Sequence, residues 1–275
     1  MLIEVYADES GTHDPTGRQP GSEAAIVAGF AATMDDWKPF CIDWQRILTG
    51  YRAPYFHFRQ WRDAEVVART NRKPSKDFDR NPYRDWSLEK LKAFAVELAK
   101  VAGSGNKLIV KNPVDTKTIY ESKLKGNNTG IDDPYKWCVK GFFRHYSSIV
   151  GTERAPWKRM PVKFIFDDPP PKEKQWRGAI VDAYEDYRGE HPRTTFAFGN
   201  KLDPQMLPLQ AADMLAYRTR FIAGKWIGEE TSGAWKELDI PLFKPLFAYM
   251  ERHKAEVIRE YLSGGYRYDP RRRPK

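Results

Sequence analysis

Cysteine is scarce in this chain: Cys41 and Cys138 are the only two, and they lie far apart. No Cys-x-x-Cys spacing exists, so neither a disulfide framework nor a thiolate zinc site is expected, and a reducing cytoplasm is the default compartment. No apolar run approaches the ~20 residues that cross a bilayer. The first residues lead straight into a strand pattern without a charged-then-apolar signal segment, so no membrane association is expected. Also missing are a phosphate-cradling Gly-rich loop, a nucleophile elbow and a His-Glu-x-x-His helix. These absences count against nucleotide hydrolases of those classes.

What is present is a globular composition with a basic excess. The 275 residues are 41% hydrophobic, enough for a sizeable core. The formal net charge is +9 and the sequence pI is about 9.3. That balance favours a polyanionic partner, of which nucleic acid, DNA or RNA, is the commonest.

Two strand patterns end in acids. Ile3, Val5 and Ala7 alternate with Glu4 and Tyr6, and the stretch runs into Asp8-Glu9-Ser10-Gly11. Val162 to Phe166 is a second apolar run, closed by Asp167-Asp168 and three prolines. Rigid strands that deliver carboxylates to their C-terminal ends suit hard divalent cations, which take oxygen ligands. An ordinary polar turn is the competing reading of Asp-Glu-Ser-Gly. Parallel placement of the two strands would bring their acids together, because sites in open α/β sheets form at those carboxyl ends. A third acid, Asp213, is the only charge in Leu207 to Tyr217. Leu209, Ala212, Ala216 and Tyr217 share its helix face. A buried ionised acid requires a cation or donor, whether a metal, an arginine or a backbone cap.

Between these motifs the pattern predicts a strand over Ala24 to Thr33, a helix from Asp35 through Leu48 and a short aromatic strand over Tyr55 to Phe58 carrying His57. Arg59 to Arg84 is basic and interleaved with aromatics, a composition that suits a nucleic-acid backbone and equally a solvated face. Helices are expected over Trp86 to Ala102, Pro134 to Val150, Lys172 to Tyr187, Pro208 to Phe221 and Phe243 to Tyr261. Short strands are expected over Lys107 to Val110 and Thr194 to Phe198. No repeat or linker splits the chain. It reads as one mixed α/β domain over residues 1–265, with a helical insertion around 59–155 and a basic tail over 266–275.

The motifs Asp8-Glu9-Ser10-Gly11, Phe166-Asp167-Asp168 and Leu209-Gln210-Ala211-Ala212-Asp213-Met214-Leu215-Ala216 resemble, in that order, the domain-of-unknown-function 3800 family, which is similar to ribonuclease H-like nucleases. The resemblance spans most of the chain, although the middle helices match no motif of it. It implies a mixed sheet of order 3-2-1-4-5 flanked by helices. It also implies Asp8, Asp167 and Asp213 as ligands of Mg²⁺ or Mn²⁺, with Glu9 as a fourth catalytic candidate. Asp167 is preferred to Asp168 because similar proteins keep Phe-Asp and vary the next residue. His57 is a further catalytic candidate, as a proton shuttle or a phosphate contact. Lys201, Arg59 and Arg62 are candidates for holding nucleic acid. The expected activity is two-metal hydrolysis of nucleic-acid phosphodiesters. The alternatives are a non-catalytic nucleic-acid- or partner-binding protein on the same fold, and a small-molecule phosphohydrolase.

Overall fold

The computed structural model describes residues 1–10, 24–70, 78–124, 133–169 and 174–227. The expected helix over Phe243 to Tyr261 and the basic tail lie outside the described residues. Five strands form one sheet: β1 (Ile3–Ser10), β2 (Ala24–Thr33), β3 (Leu108–Asp115), β4 (Val162–Asp167) and β5 (Thr194–Gly199). Their spatial order is β3-β2-β1-β4-β5. β2 runs antiparallel to both β1 and β3, whereas β4 runs parallel to β1 and β5 parallel to β4. This is the expected mixed α/β sheet of order 3-2-1-4-5.

Seven helices accompany the sheet among the described residues: α1 (Met34–Tyr51), α2 (Phe58–Thr70), α3 (Leu88–Gly103), α4 (Thr116–Leu124), α5 (Pro134–Glu153), α6 (Lys174–Glu190) and α7 (Leu207–Ile227). Local chemistry explains several starts. The Thr33 hydroxyl accepts from Asp36 N at 3.2 Å and opens α1, and the Ser87 hydroxyl does the same for α3 through Lys90 N at 3.2 Å. Asp133 caps α5 through Tyr135 N and Lys136 N, with Pro134 pre-set at the first helical position. None of the described helices is long and apolar enough to cross a membrane.

Strand alternation sorts the core into two layers. Tyr6, Ile26, Ala28, Phe30 and Ile165 face one side, where they pack with residues of α1, α2, α3 and α7. Ile3, Val5, Ala7, Val27, Phe164 and Phe166 face the other, against α5 and α6. β1 and β2 approach closely at Gly29, where any Cβ would overlap the Tyr6 carbonyl oxygen.

Two expectations change. Tyr55 to Phe58 is not a strand, because its backbone donors are taken by side chains instead of a neighbouring strand. Phe56 N donates to Gln210 Oε1 at 2.8 Å, His57 N to the Tyr83 hydroxyl at 3.3 Å and Phe58 N to Asp213 Oδ2 at 2.6 Å. The chain then enters α2 directly. The strand expected over Lys107 to Val110 is present as β3 but extends to Asp115, well past the expected end.

Candidate functional site

The site lies at the carboxyl ends of β1 and β4. Their parallel register pairs Ala7 with Phe166, so Asp8 and Asp167 follow side by side. Both fall on the parity that faces α7, which brings Asp213 from above. All three carboxylates are buried: Asp8 and Asp213 have no exposed surface and Asp167 has 7%. Asp8 Oδ2, Asp167 Oδ2 and Asp213 Oδ1 converge on one atom, the ammonium nitrogen of Lys201, at 2.6, 3.1 and 3.2 Å.

Lys201, a candidate for holding nucleic acid, is directed at the three carboxylates. Its side chain is 16% exposed. The turn after β5 carries it inward, and its backbone is fixed at two points. Lys201 N donates to Asp167 Oδ1 at 2.9 Å, and Lys201 O accepts from Gln210 Nε2 at 3.1 Å. The surrounding carboxylates hold its pKa well above the usual lysine value, against the opposing effect of burial. A buried acid cluster demands such a cation.

The neighbouring acids divide sharply. Glu9, next in β1, has a buried Oε2 without a hydrogen-bond partner among the described residues. Burial, reinforced by the charge on Asp167 and opposed by Lys201, raises its pKa to about 7. Burial also raises Asp8 well above the ordinary range, with Lys201 again opposing. Asp168 points the other way, is 46% exposed and pairs with Arg177 of α6. The preference for Asp167 over its neighbour thus has a geometric basis: only Asp167 shares the face under α7.

His57 lies beside Asp213, in the linker that ends at Phe58 N. Its Nδ1 is buried without a hydrogen-bond partner among the described residues. Burial lowers its pKa, against the raising effect of the Asp213 charge. Arg59 and Arg62 occupy the first turns of α2, Arg59 exposed and Arg62 half-buried. The Asp213 bond to Phe58 N ties the start of this basic helix to the acid cluster, and the Phe58 ring stacks on Tyr217 at 4.8 Å. Burial and the Asp213 charge raise the Tyr217 pKa, opposed by Arg59, Lys201 and Arg220.

Two contributors were not singled out in the sequence. Gln210 is fully buried and accepts from Trp44 Nε1 at 3.0 Å as well as from Phe56 N, while donating to Lys201 O. It joins α1, the linker, the Lys201 turn and α7. Its signal was legible, since Gln210 is the one polar uncharged residue in an otherwise apolar helix start. Tyr83 donates to Tyr55 O at 2.6 Å and accepts from His57 N, which sets the linker's path. Nothing in the local sequence announced that role.

The side-chain donors that the three aspartates offer are all oxygen, the type that hard divalent cations take. With the Lys201 ammonium at their focus, no group of three or more His, Cys, Asp or Glu side chains among the described residues stands as a ready metal-chelating set. The 280 Å³ cavity between α1 and α3, lined by Arg46, Tyr51, Glu97 and Lys100, is separate from these acids. No protein-family model matches the chain, and no curated protein matches it.

Proposed function

We propose that this chain is a metal-dependent nuclease, with Asp8, Asp167 and Asp213 as the ligands of Mg²⁺ or Mn²⁺ and nucleic acid as the substrate. The observation that carries this reading is the convergence of three buried carboxylates, from β1, β4 and α7, on a single cationic point. The hard oxygen donors and the unsatisfied, buried Glu9 Oε2 fit such an ion. When bound, it would activate a water and stabilise the leaving oxygen of a phosphodiester. The protein's own groups do the rest. His57, whose pKa burial lowers against the Asp213 charge, presents an Nδ1 that can take a proton. Arg59 and Arg62 offer phosphate contacts from a helix whose first N–H is bonded to Asp213. The expected kinship with ribonuclease H-like nucleases belongs to this same reading.

The neighbouring acids provide the test. Cleavage of end-labelled single- and double-stranded DNA and RNA is measured with Mn²⁺ for the parent, Asp167→Asn and Asp168→Asn. Loss of one ligand is expected to reduce cleavage by at least ~100-fold, while Asp168→Asn keeps it. Equal activity in all three chains would remove Asp167 from the reaction. Binding of an oligonucleotide in Ca²⁺ should weaken with salt, and Arg59→Glu should flatten the log-log slope by about 0.7–0.9 for each phosphate that is no longer neutralised.

The convergence on Lys201 also supports a second reading. An acid cluster already met by an ammonium suits a nucleic-acid- or partner-binding protein that does no chemistry. Binding without cleavage under all metal conditions would favour it.

A further inference from the structure

Lys201 stands where any cation serving these acids must stand. Its ammonium contacts one oxygen from each of Asp8, Asp167 and Asp213. Two cations cannot share that focus without strong repulsion in a buried, low-dielectric setting. The two ends of Lys201 differ in freedom. The backbone is bonded on both sides, to Asp167 and to Gln210. The ammonium sits on a flexible four-carbon stem, as a compact point charge that can rotate away.

We propose that Lys201 is the built-in counter-ion of the acid cluster and that a divalent ion binds only by displacing its ammonium, so that Lys201 sets the site's affinity for that ion. The inference rests on the reading of the three aspartates as a divalent-ion site. Without a bound divalent ion, the ammonium offsets the repulsion among the carboxylates, which would otherwise be driven to protonate or to separate. When an ion enters, the ammonium must leave while the Lys201 turn stays in place. The released ammonium remains tethered beside the cluster, at a distance its stem allows.

Affinity for Mn²⁺ alone distinguishes this role from a structural one. Titration of the parent and of Lys201→Met, followed by calorimetry and by the Mn²⁺ electron-spin signal, should show the variant binding at least about tenfold tighter, since a competing charge has been removed. A merely structural lysine would give weaker binding when replaced. Equal or weaker binding by a folded Lys201→Met overturns the proposal and leaves the metal reading standing. No Mn²⁺ binding by either chain overturns both.

Because Lys201→Met exposes the acids to one another and can fail to fold, a second measurement uses the parent chain. Amine acylation read by mass spectrometry should find Lys201 protected without divalent ion and labelled at saturating Mg²⁺, with Lys38, exposed on α1, as an internal reference. Unchanged protection of Lys201 at Mg²⁺ concentrations that saturate the site overturns displacement.

Discussion

The two faces of the sheet bury similar strands in opposite ways. Under α5 and α6, Phe164 meets Phe143, Phe166 meets Phe142, and Tyr184 packs on Phe143, so the layer is held by aromatic packing. Phe143 contacts Phe164 edge-on at 4.9 Å and stacks on Tyr187 at 4.8 Å. Under α7 the layer is also largely apolar, but at the carboxyl ends of β1 and β4 it encloses Asp8, Asp167, Asp213, Gln210 and Lys201. One face is stabilised mainly by the apolar surface it buries. The other spends part of that gain on a charge cluster that needs a cation. The contrast separates residues that make the fold from residues that make the site, and it predicts where substitutions act.

The largest expected effect lies on the aromatic face. Phe164→Ala should lower the unfolding free energy by about 3–5 kcal/mol, through the apolar burial removed and the cavity left behind. Chemical denaturation measures it. Mn²⁺ affinity of the folded fraction should be unchanged; a large change there would break the division between the faces.

At the strand end that carries the acids the expected effect depends on pH. The Glu9 pKa rises from an ordinary 4.5 to about 7 in the folded chain. Between those values the folded chain holds a proton that the unfolded chain has released. The unfolding free energy therefore falls as pH rises through this window and levels off above it, by on the order of 1–3 kcal/mol. Asp8, raised in the same sense, adds to the decline. Glu9→Gln should flatten the profile between those pH values. If stability measured from pH 4.5 to 7 is already flat in the parent, Glu9 ionises there without penalty.

The smallest effect sharpens the comparison at adjacent residues. Arg177→Ala removes the partner of Asp168, but both side chains are about half exposed. Water screens such a pair, so the cost should stay within about 1 kcal/mol. A substantially larger loss, seen in thermal melts, would mean that the packing of Arg177 over the Phe198 ring at 4.1 Å matters more than its charge.

Much of this arrangement was legible in the residues. Alternating apolar positions fixed which side of β1 and β4 each acid would take, because strand side chains alternate strictly. That parity is why Asp167 enters the site and Asp168 does not. Asp213 was marked by being the only charge on an apolar helix face. The aromatic run at Tyr55 to Phe58 misled, because strand propensity is a statement about half-buried surfaces and not about hydrogen-bond partners. Its donors found Gln210, Tyr83 and Asp213, from points 26 to 155 positions away in the chain.

The sequence by itself determined the mixed α/β class, the strand ends that carry acids and the helix that brings the third. Each follows from a period or a lone charge within a short stretch, and such signals are local. The tertiary structure alone decided that Lys201 is a buried partner of all three acids and not a surface contact. Its burial depends on the turn after β5 folding back over the ends of β1 and β4, held by Asp167 and Gln210. A lysine in a polar turn has the same sequence signature whether it faces water or a carboxylate cluster, and only the surrounding charges distinguish the two.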